Sequence, residues 1–240
     1  MAIERAAACS AVLASFHRPY APESIMRLRM IIGFMAGALA LAPSAGFAQQ
    51  PSEFDFYVFT LSWSPGFCDT GGADKSPSQC AVGSGTGFVV HGLWPDNSFG
   101  RDPQNCQYGV AIPSDALRLT DGVYPDEGLA RYEYLKHGTC AGLDPQAYFA
   151  AVKSLRDEIV VPDILKAPRQ QLTFAPSDLE QAFIAVNANL QAGNMAITCR
   201  NGELIDVRIC VSKNLTAFAN CPKVSGHTCH ASSISVAPIR

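Results

Sequence analysis

The chain predicts an α+β fold, a single disulfide-stapled domain with a central, largely antiparallel β-sheet flanked by helices. Three observations lead there. Strand-like and helix-like segments follow one another without the regular alternation that builds a parallel sheet. Asn201-Gly202 separates two β-rich runs as a two-residue hairpin signal, which makes those strands antiparallel neighbours. Of 9 cysteines, all but Cys9 fall after residue 48, behind what reads as an export signal, the setting in which cysteines pair.

The N-terminal segment is expected to be removed. Arg27 and Arg29 precede an apolar run over 30–41, and Gly46-Phe47-Ala48 places small residues where a signal peptidase reads. Basic, apolar and small-residue parts in that order make a secretory signal over 26–48, too short in its apolar part to span a bilayer comfortably. Met26 is a natural start for it, so residues 1–25 read as an upstream extension. Cleavage after Ala48 leaves 49–240, one domain with room for a sizeable core and no membrane anchor. Cys68, Cys80, Cys106, Cys140, Cys199, Cys210, Cys221 and Cys229 then form an even set, which reads as four disulfides. No C-x-x-C occurs, and His227-Thr228-Cys229-His230 loses its thiol if Cys229 is paired, so neither a metal nor a cofactor is expected.

Charge argues against a generic nucleic-acid binder. Of 18 Lys and Arg the exported part keeps 14, and of 21 Asp and Glu it keeps 19, a net of about −5. Tight sequence-independent binding needs a basic face, and no basic run exists. Any RNA partner must be met at a small local cationic site.

Residues 54–63, aromatic and β-branched up to Pro65-Gly66, predict a long buried strand. A polar loop with Cys68 and Cys80 follows, then Gly85-Thr86-Gly87 and a second strand into His91. Residues 95–125 read as loop, broken by Asn97, Gly100, Pro103, Gly109 and Pro113. A helix is expected from Asp126 to His137, stopping at Gly138 in a left-handed conformation. Asp144-Pro145 caps and opens a second helix. Ser177 with Glu180 reads as a capping box for a third, which carries Leu179, Phe183, Val186 and Leu190 inward.

In the hairpin, Ile205, Val207, Ile209 and Val211 alternate as an inward face. A two-residue turn pairs Cys199 with Leu204, so Cys210 lies six positions along, roughly 20 Å away at about 3.3 Å per residue. A Cys199–Cys210 disulfide is thereby excluded.

Two segments carry the chemistry. Phe88-Val89-Val90-His91-Gly92-Leu93-Trp94-Pro95-Asp96 puts a histidine beside a tryptophan and a carboxylate. Tyr132-Glu133-Tyr134-Leu135-Lys136-His137-Gly138-Thr139-Cys140 offers a carboxylate, an amine and a second histidine, with Glu133 and His137 four apart on one helical face. Two histidines, one neutral and one charged, suit proton transfer around a phosphodiester.

In this order the two segments resemble the active-site segments of the ribonuclease T2 family, and Leu61-Ser62-Trp63-Ser64-Pro65-Gly66-Phe67-Cys68 resembles the first strand and turn of its bacterial members. Two departures stand in the second segment: Tyr132 replaces the family's first histidine, and Tyr134 its tryptophan. The resemblance implies an exported, metal-independent endoribonuclease acting on single-stranded RNA. It would use 2′-hydroxyl attack to give 2′,3′-cyclic phosphates and then 3′-phosphates, and needs no obligate protein partner. It implies His137 as base, His91 as acid, Lys136 stabilising charge on phosphorus, and Glu133 orienting its neighbours. Trp94 and Asp96 would meet a nucleobase, with Tyr132 near the phosphate. It also implies disulfides Cys106–Cys140 and Cys199–Cys229 around Cys210–Cys221, with Cys68–Cys80 as a local loop. Tyr132, which cannot carry positive charge, and the acidic net charge motivate an alternative: a weakened relative that binds RNA or acts as an inhibitor. A disulfide-stapled structural protein is the third reading, and it gives no reason for both histidines.

Overall fold

The computed structural model describes residues 52–240; the expected signal peptide, the expected upstream extension and Cys9 lie outside the described residues. Six strands are present there: β1 (Phe56–Trp63), β2 (Phe88–Asp96), β3 (Leu172–Phe174), β4 (Met195–Arg200), β5 (Glu203–Ser212) and β6 (Ile234–Val236). The helices are α1 (Ser64–Phe67), α2 (Pro77–Cys80), α3 (Ser114–Leu117), α4 (Glu127–Lys136), α5 (Pro145–Glu158), α6 (Pro176–Val186) and α7 (Pro222–Ser225). The sheet runs β2-β1-β5-β6-β3, with β4 also paired to β5. Every pairing is antiparallel except β5–β6, so the expected class holds.

All eight residues of β1 are buried because the sheet is covered on both faces. On one face Phe59, Leu61, Trp63, Leu93, Val207 and Ile209 pack with Tyr134 of α4, Phe149 of α5 and Phe183 of α6 in the main core. On the other, Phe56, Val58, Ala196 and Cys210 meet Cys221 and Val224 of α7. Phe56–Phe59 therefore reads as a continuous apolar run, and beyond it the buried polar residues Thr60 and Ser62 alternate with Leu61 and Trp63.

The hairpin forms as expected, with Asn201 at φ 51° and Gly202 at φ 79°, Arg200 opposite Glu203 and Cys199 opposite Leu204. Its inward face does not. A bulge between Thr198 and Cys199 leaves Ile205 as the extra residue of β5, so Leu204 rather than Ile205 joins the main core ahead of Val207. The four disulfides are Cys68–Cys80, Cys106–Cys140, Cys199–Cys229 and Cys210–Cys221, the set the resemblance implies.

Several local expectations fail. The stretch 95–125, read as loop, holds α3 and a 3-10 turn over Arg118–Thr120, and α2 stands in the segment read as a polar loop between Cys68 and Cys80. Gly138 is not left-handed: the chain tightens into a 3-10 turn over Gly138–Cys140, and glycine is needed because a Cβ there would lie 2.4 Å from the Tyr134 ring. The capping box at Ser177 does not form, because Pro176 starts α6 one residue earlier with Ala175 at the N-cap. Glu180 instead accepts a hydrogen bond from Thr228 Oγ1 at 2.7 Å. Val186 ends that helix exposed, and Leu190 is buried beyond it. Asp126 does cap α4 by accepting from the Leu129 N–H at 2.8 Å, and Asp144 caps α5 in the same way through Ala147.

Candidate active site

Two walls meet over one end of the sheet. The first is β2. Thr60 pairs with Gly92 and Leu61 with Val90, which leaves His91 as the extra residue of a β-bulge. Bulges re-aim side chains, and this one turns His91 out of the ladder toward a cavity of about 380 Å³. The second wall is the end of α4, where Glu133, Lys136 and His137 line the same cavity with Trp94, Asp96 and Tyr132. Every site residue singled out from the sequence is thus in one place. Tyr134 is not at the site: it is fully buried against Tyr148 and Phe149.

The loop after β2 closes the cavity rim through Asp102 and Gln104. It is held at the end of α4 by the Cys106–Cys140 disulfide and by the Asn105 N–H donating to the Lys136 carbonyl at 2.7 Å. His137 caps the helix, its backbone N–H donating to the Glu133 carbonyl at 2.9 Å.

Glu133, 1% exposed, stands between the histidines. Trp94 Nε1 donates to its Oε2 at 2.6 Å, while His91 Nε2 lies 3.6 Å from Oε1 and His137 Nε2 lies 4.0 Å from Oε2. Gly92 permits this approach, since a Cβ there would sit 2.3 Å from Trp94 Nε1 and 2.5 Å from Glu133 Oε2. The Trp94 ring packs with both imidazoles, with centroids 5.2 Å from His91 and 5.4 Å from His137.

The two imidazoles are driven apart in charge. Burial lowers the His137 pKa, and the positive charges of Lys136 and His91 lower it further, to about 4. Its Nδ1 is buried with no hydrogen-bond partner among the described residues. His91 is shifted up: burial pulls it down, but Asp206 and Glu133 more than offset that, with Arg208 opposing them. Burial raises Glu133 against the pull of His91, the Trp94 hydrogen bond and Lys136.

Four contributors were not singled out from the sequence. Ser62, Asp206 and Arg208 back His91 from β1 and β5, and the Arg208 guanidinium lies 5.6 Å from the Trp94 ring centre. Lys223 of α7 binds Asp96 Oδ1 at 3.1 Å and also Asp102, tying α7 to the cavity rim. Burial and Asp102 push the Asp96 carboxyl up to about 7, and Lys223 opposes them. The available signal was an aspartate and an arginine inside the apolar run of β5, where a buried charge needs partners. Among the described residues no group of three His, Cys, Asp or Glu side chains could hold a metal ion.

The comparisons agree with this geometry. The sequence pattern of the ribonuclease T2 family matches residues 54–221. Ribonuclease DdI of Dictyostelium discoideum is 29% identical over 202 residues, covering 77% of this chain and 86% of that protein. A ribonuclease of Aeromonas hydrophila is 38% identical over 109 residues, covering 45% of this chain and 48% of that one. The crystal structure of RNase NT in complex with 5′-AMP superposes with a TM-score of 0.61 at 26% identity, covering 78% of this chain and all of that one. The cavity built by the two motif segments and the match over most of the domain lead to one assignment: the chain belongs to the ribonuclease T2 family and is a T2-type endoribonuclease.

Proposed function

We propose that the protein cleaves single-stranded RNA by transphosphorylation, with His137 as general base and His91 as general acid. The observation that carries this reading is that both imidazoles line one cavity on the Glu133 carboxylate, His91 Nε2 3.6 Å and His137 Nε2 4.0 Å from it, with His137 shifted down by burial and His91 shifted up against burial by Asp206 and Glu133, the order that a base and an acid need. His137 takes the 2′-hydroxyl proton as that oxygen bonds to phosphorus. The bond from phosphorus to the 5′-oxygen breaks, and His91 donates its proton to the departing oxygen. The products are a 2′,3′-cyclic phosphate and a 5′-hydroxyl. In the slower second step water takes the place of the departed 5′-hydroxyl: His91 takes its proton as its oxygen bonds to phosphorus, the bond from phosphorus to the 2′-oxygen breaks, His137 donates its proton to that oxygen, and a 3′-phosphate results.

Lys136, lining the cavity beside both imidazoles, stabilises the charge that builds on the phosphoryl oxygens. Glu133 orients both imidazoles and the Trp94 indole. Trp94 and Asp96 form the side of the cavity available to a nucleobase, and Tyr132 borders its mouth. No step calls for a metal ion. Four disulfides favour an oxidising compartment, in keeping with export and cleavage after Ala48 to give a 49–240 catalytic domain. Two substrates test the reading. RNA should be cut in excess EDTA, and an otherwise identical strand with one 2′-deoxy sugar should resist cleavage at that sugar alone. Cleavage there would remove the 2′-hydroxyl as nucleophile.

A further inference from the structure

We propose that Asp206, acting through Ser62, is the positioning residue of His91: it decides which ring nitrogen carries the transferable proton and keeps that ring charged until transfer. The inference rests on His91 being the general acid.

A count of protons makes the argument. Ser62 Oγ lies 2.6 Å from Asp206 Oδ1 and 3.3 Å from His91 Nδ1. A serine hydroxyl has one proton, and an ionised carboxylate only accepts. Ser62 therefore donates to Asp206, and its oxygen is left to accept from His91. That requires a proton on Nδ1 in the neutral and the charged ring alike. The proton that His91 gives up must then come from Nε2, the nitrogen on the Glu133 side.

Asp206 is ionised despite being 5% exposed. Burial pushes its carboxyl up, but the Ser62 hydrogen bond and the nearby charges of His91 and Arg208 hold it below the usual carboxylate range. Its other oxygen is occupied: Thr198 Oγ1 lies 3.3 Å and Arg208 Nη2 3.4 Å from Oδ2. The carboxylate cannot rotate without breaking these contacts, so Oδ1 stays aimed at Ser62.

The sheet supplies the alignment. Ser62 lies opposite Asp206 in the β1–β5 ladder and opposite Val89 in the β1–β2 ladder, with His91 two residues beyond Val89 on the bulge. The charged and titratable groups facing His91 are Asp206 and Arg208 from β5, and Glu133 with His137 from the end of α4. Among them Asp206 is the carboxylate on the Nδ1 side, 3.9 Å away. Glu133 is on the Nε2 side, where a departing oxygen must approach.

The test is Asp206→Asn in the full chain, with kcat and KM on RNA followed across pH. A neutral amide keeps the shape and removes the charge. Its alkaline limb should move to lower pH, kcat at pH 7 should fall on the order of 10- to 100-fold, and KM should change little. Ser62→Ala should move the limb in the same direction by less. A folded Asp206→Asn enzyme with its alkaline limb unmoved overturns the proposal. If His91→Ala is inactive at the same time, the acid–base reading survives; if His91→Ala keeps full turnover, that reading fails instead. Should Asp206→Asn not fold, ¹⁵N shifts of His91 in the wild-type protein decide. Nδ1 must stay protonated through the titration, and a neutral ring protonated at Nε2 overturns the proposal.

Discussion

His91 and His137 both pack against the Trp94 ring, one on a bulged strand and the other at the end of a helix. The strand side surrounds its imidazole with carboxylates, Asp206 and Glu133, and leaves the ring partly exposed. The helix side buries its imidazole beside Lys136 and, among the described residues, gives its Nδ1 no hydrogen-bond partner. One residue type in two settings is thus shifted in opposite directions, His91 up and His137 down. The difference teaches that acid and base roles are set by what stands behind each ring, not by the motif that contains it.

The largest expected effect comes from removing either ring. His137→Ala and His91→Ala should each lose on the order of 10²–10⁴-fold in kcat, the usual contribution of a positioned acid or base. The limbs of the pH profile sharpen the comparison. Activity needs neutral His137, so it should fall with acidification near pH 4, and it needs charged His91, so it should fall with alkalinity above 6.5. Each single variant should lose its own limb and keep the other. If His137→Ala instead abolishes the alkaline limb, the two sides have been read the wrong way round.

Next in size is the clamp between the walls. Cys106→Ser with Cys140→Ser removes a cross-link between the rim loop and the end of α4. A native disulfide is worth about 2–5 kcal/mol, and urea unfolding should show a loss in that range. Turnover should fall at urea concentrations where the global fold persists, because the rim carries Asp102 and Gln104 while Asn105 holds the Lys136 carbonyl. Equal losses of activity and global fold would mean that the clamp serves stability alone.

A smaller break targets the contact at the centre. Gly92→Ala puts a methyl group into the Trp94–Glu133 hydrogen bond, and one of those side chains must move. Leaving buried Glu133 without that donor costs about 1–3 kcal/mol. Thermal unfolding and kcat should both report it, and an unchanged melting temperature would mean the indole shifts freely.

How much of this was legible beforehand follows the same division. The two histidines, Glu133, Lys136 and Trp94 stand within two short segments, and the resemblance of those segments to the T2 family singled them out. Asp206, Ser62 and Lys223 were not, because each reaches the site by strand pairing or packing from far along the chain, Ser62 bonding Asp206 across 144 residues. The bulges were invisible for a related reason. A period of two says which residues should face inward, and an extra residue breaks that phase without a marker in composition, as Ile205 shows. Turn chemistry was readable at Asn201-Gly202, where positive φ selects the residues, and misleading at Gly138, where glycine answers to the Tyr134 ring.

The smallest expected effect concerns Tyr132, the residue that departs from the family pattern. It is 54% exposed on the helix wall, and Lys136 Nζ lies 5.3 Å from its ring centre. A phenol there donates one hydrogen bond and carries no charge, so the helix side meets an incoming phosphate with Lys136 alone. Tyr132→His would restore a group that charges below about pH 6.5. An exposed charge contact is worth roughly 0.2–1 kcal/mol, so KM for RNA should fall by no more than about fivefold. That gain should appear at pH 5.5, vanish at pH 8 and shrink with salt, while kcat stays unchanged because no reacting atom is touched. Stability should stay within about 0.5 kcal/mol, as for most exposed positions. If KM falls equally at both pH values, the tyrosine ring was obstructing the substrate. If kcat changes instead, position 132 reaches the chemistry, and the helix wall is more than the seat of a neutral base.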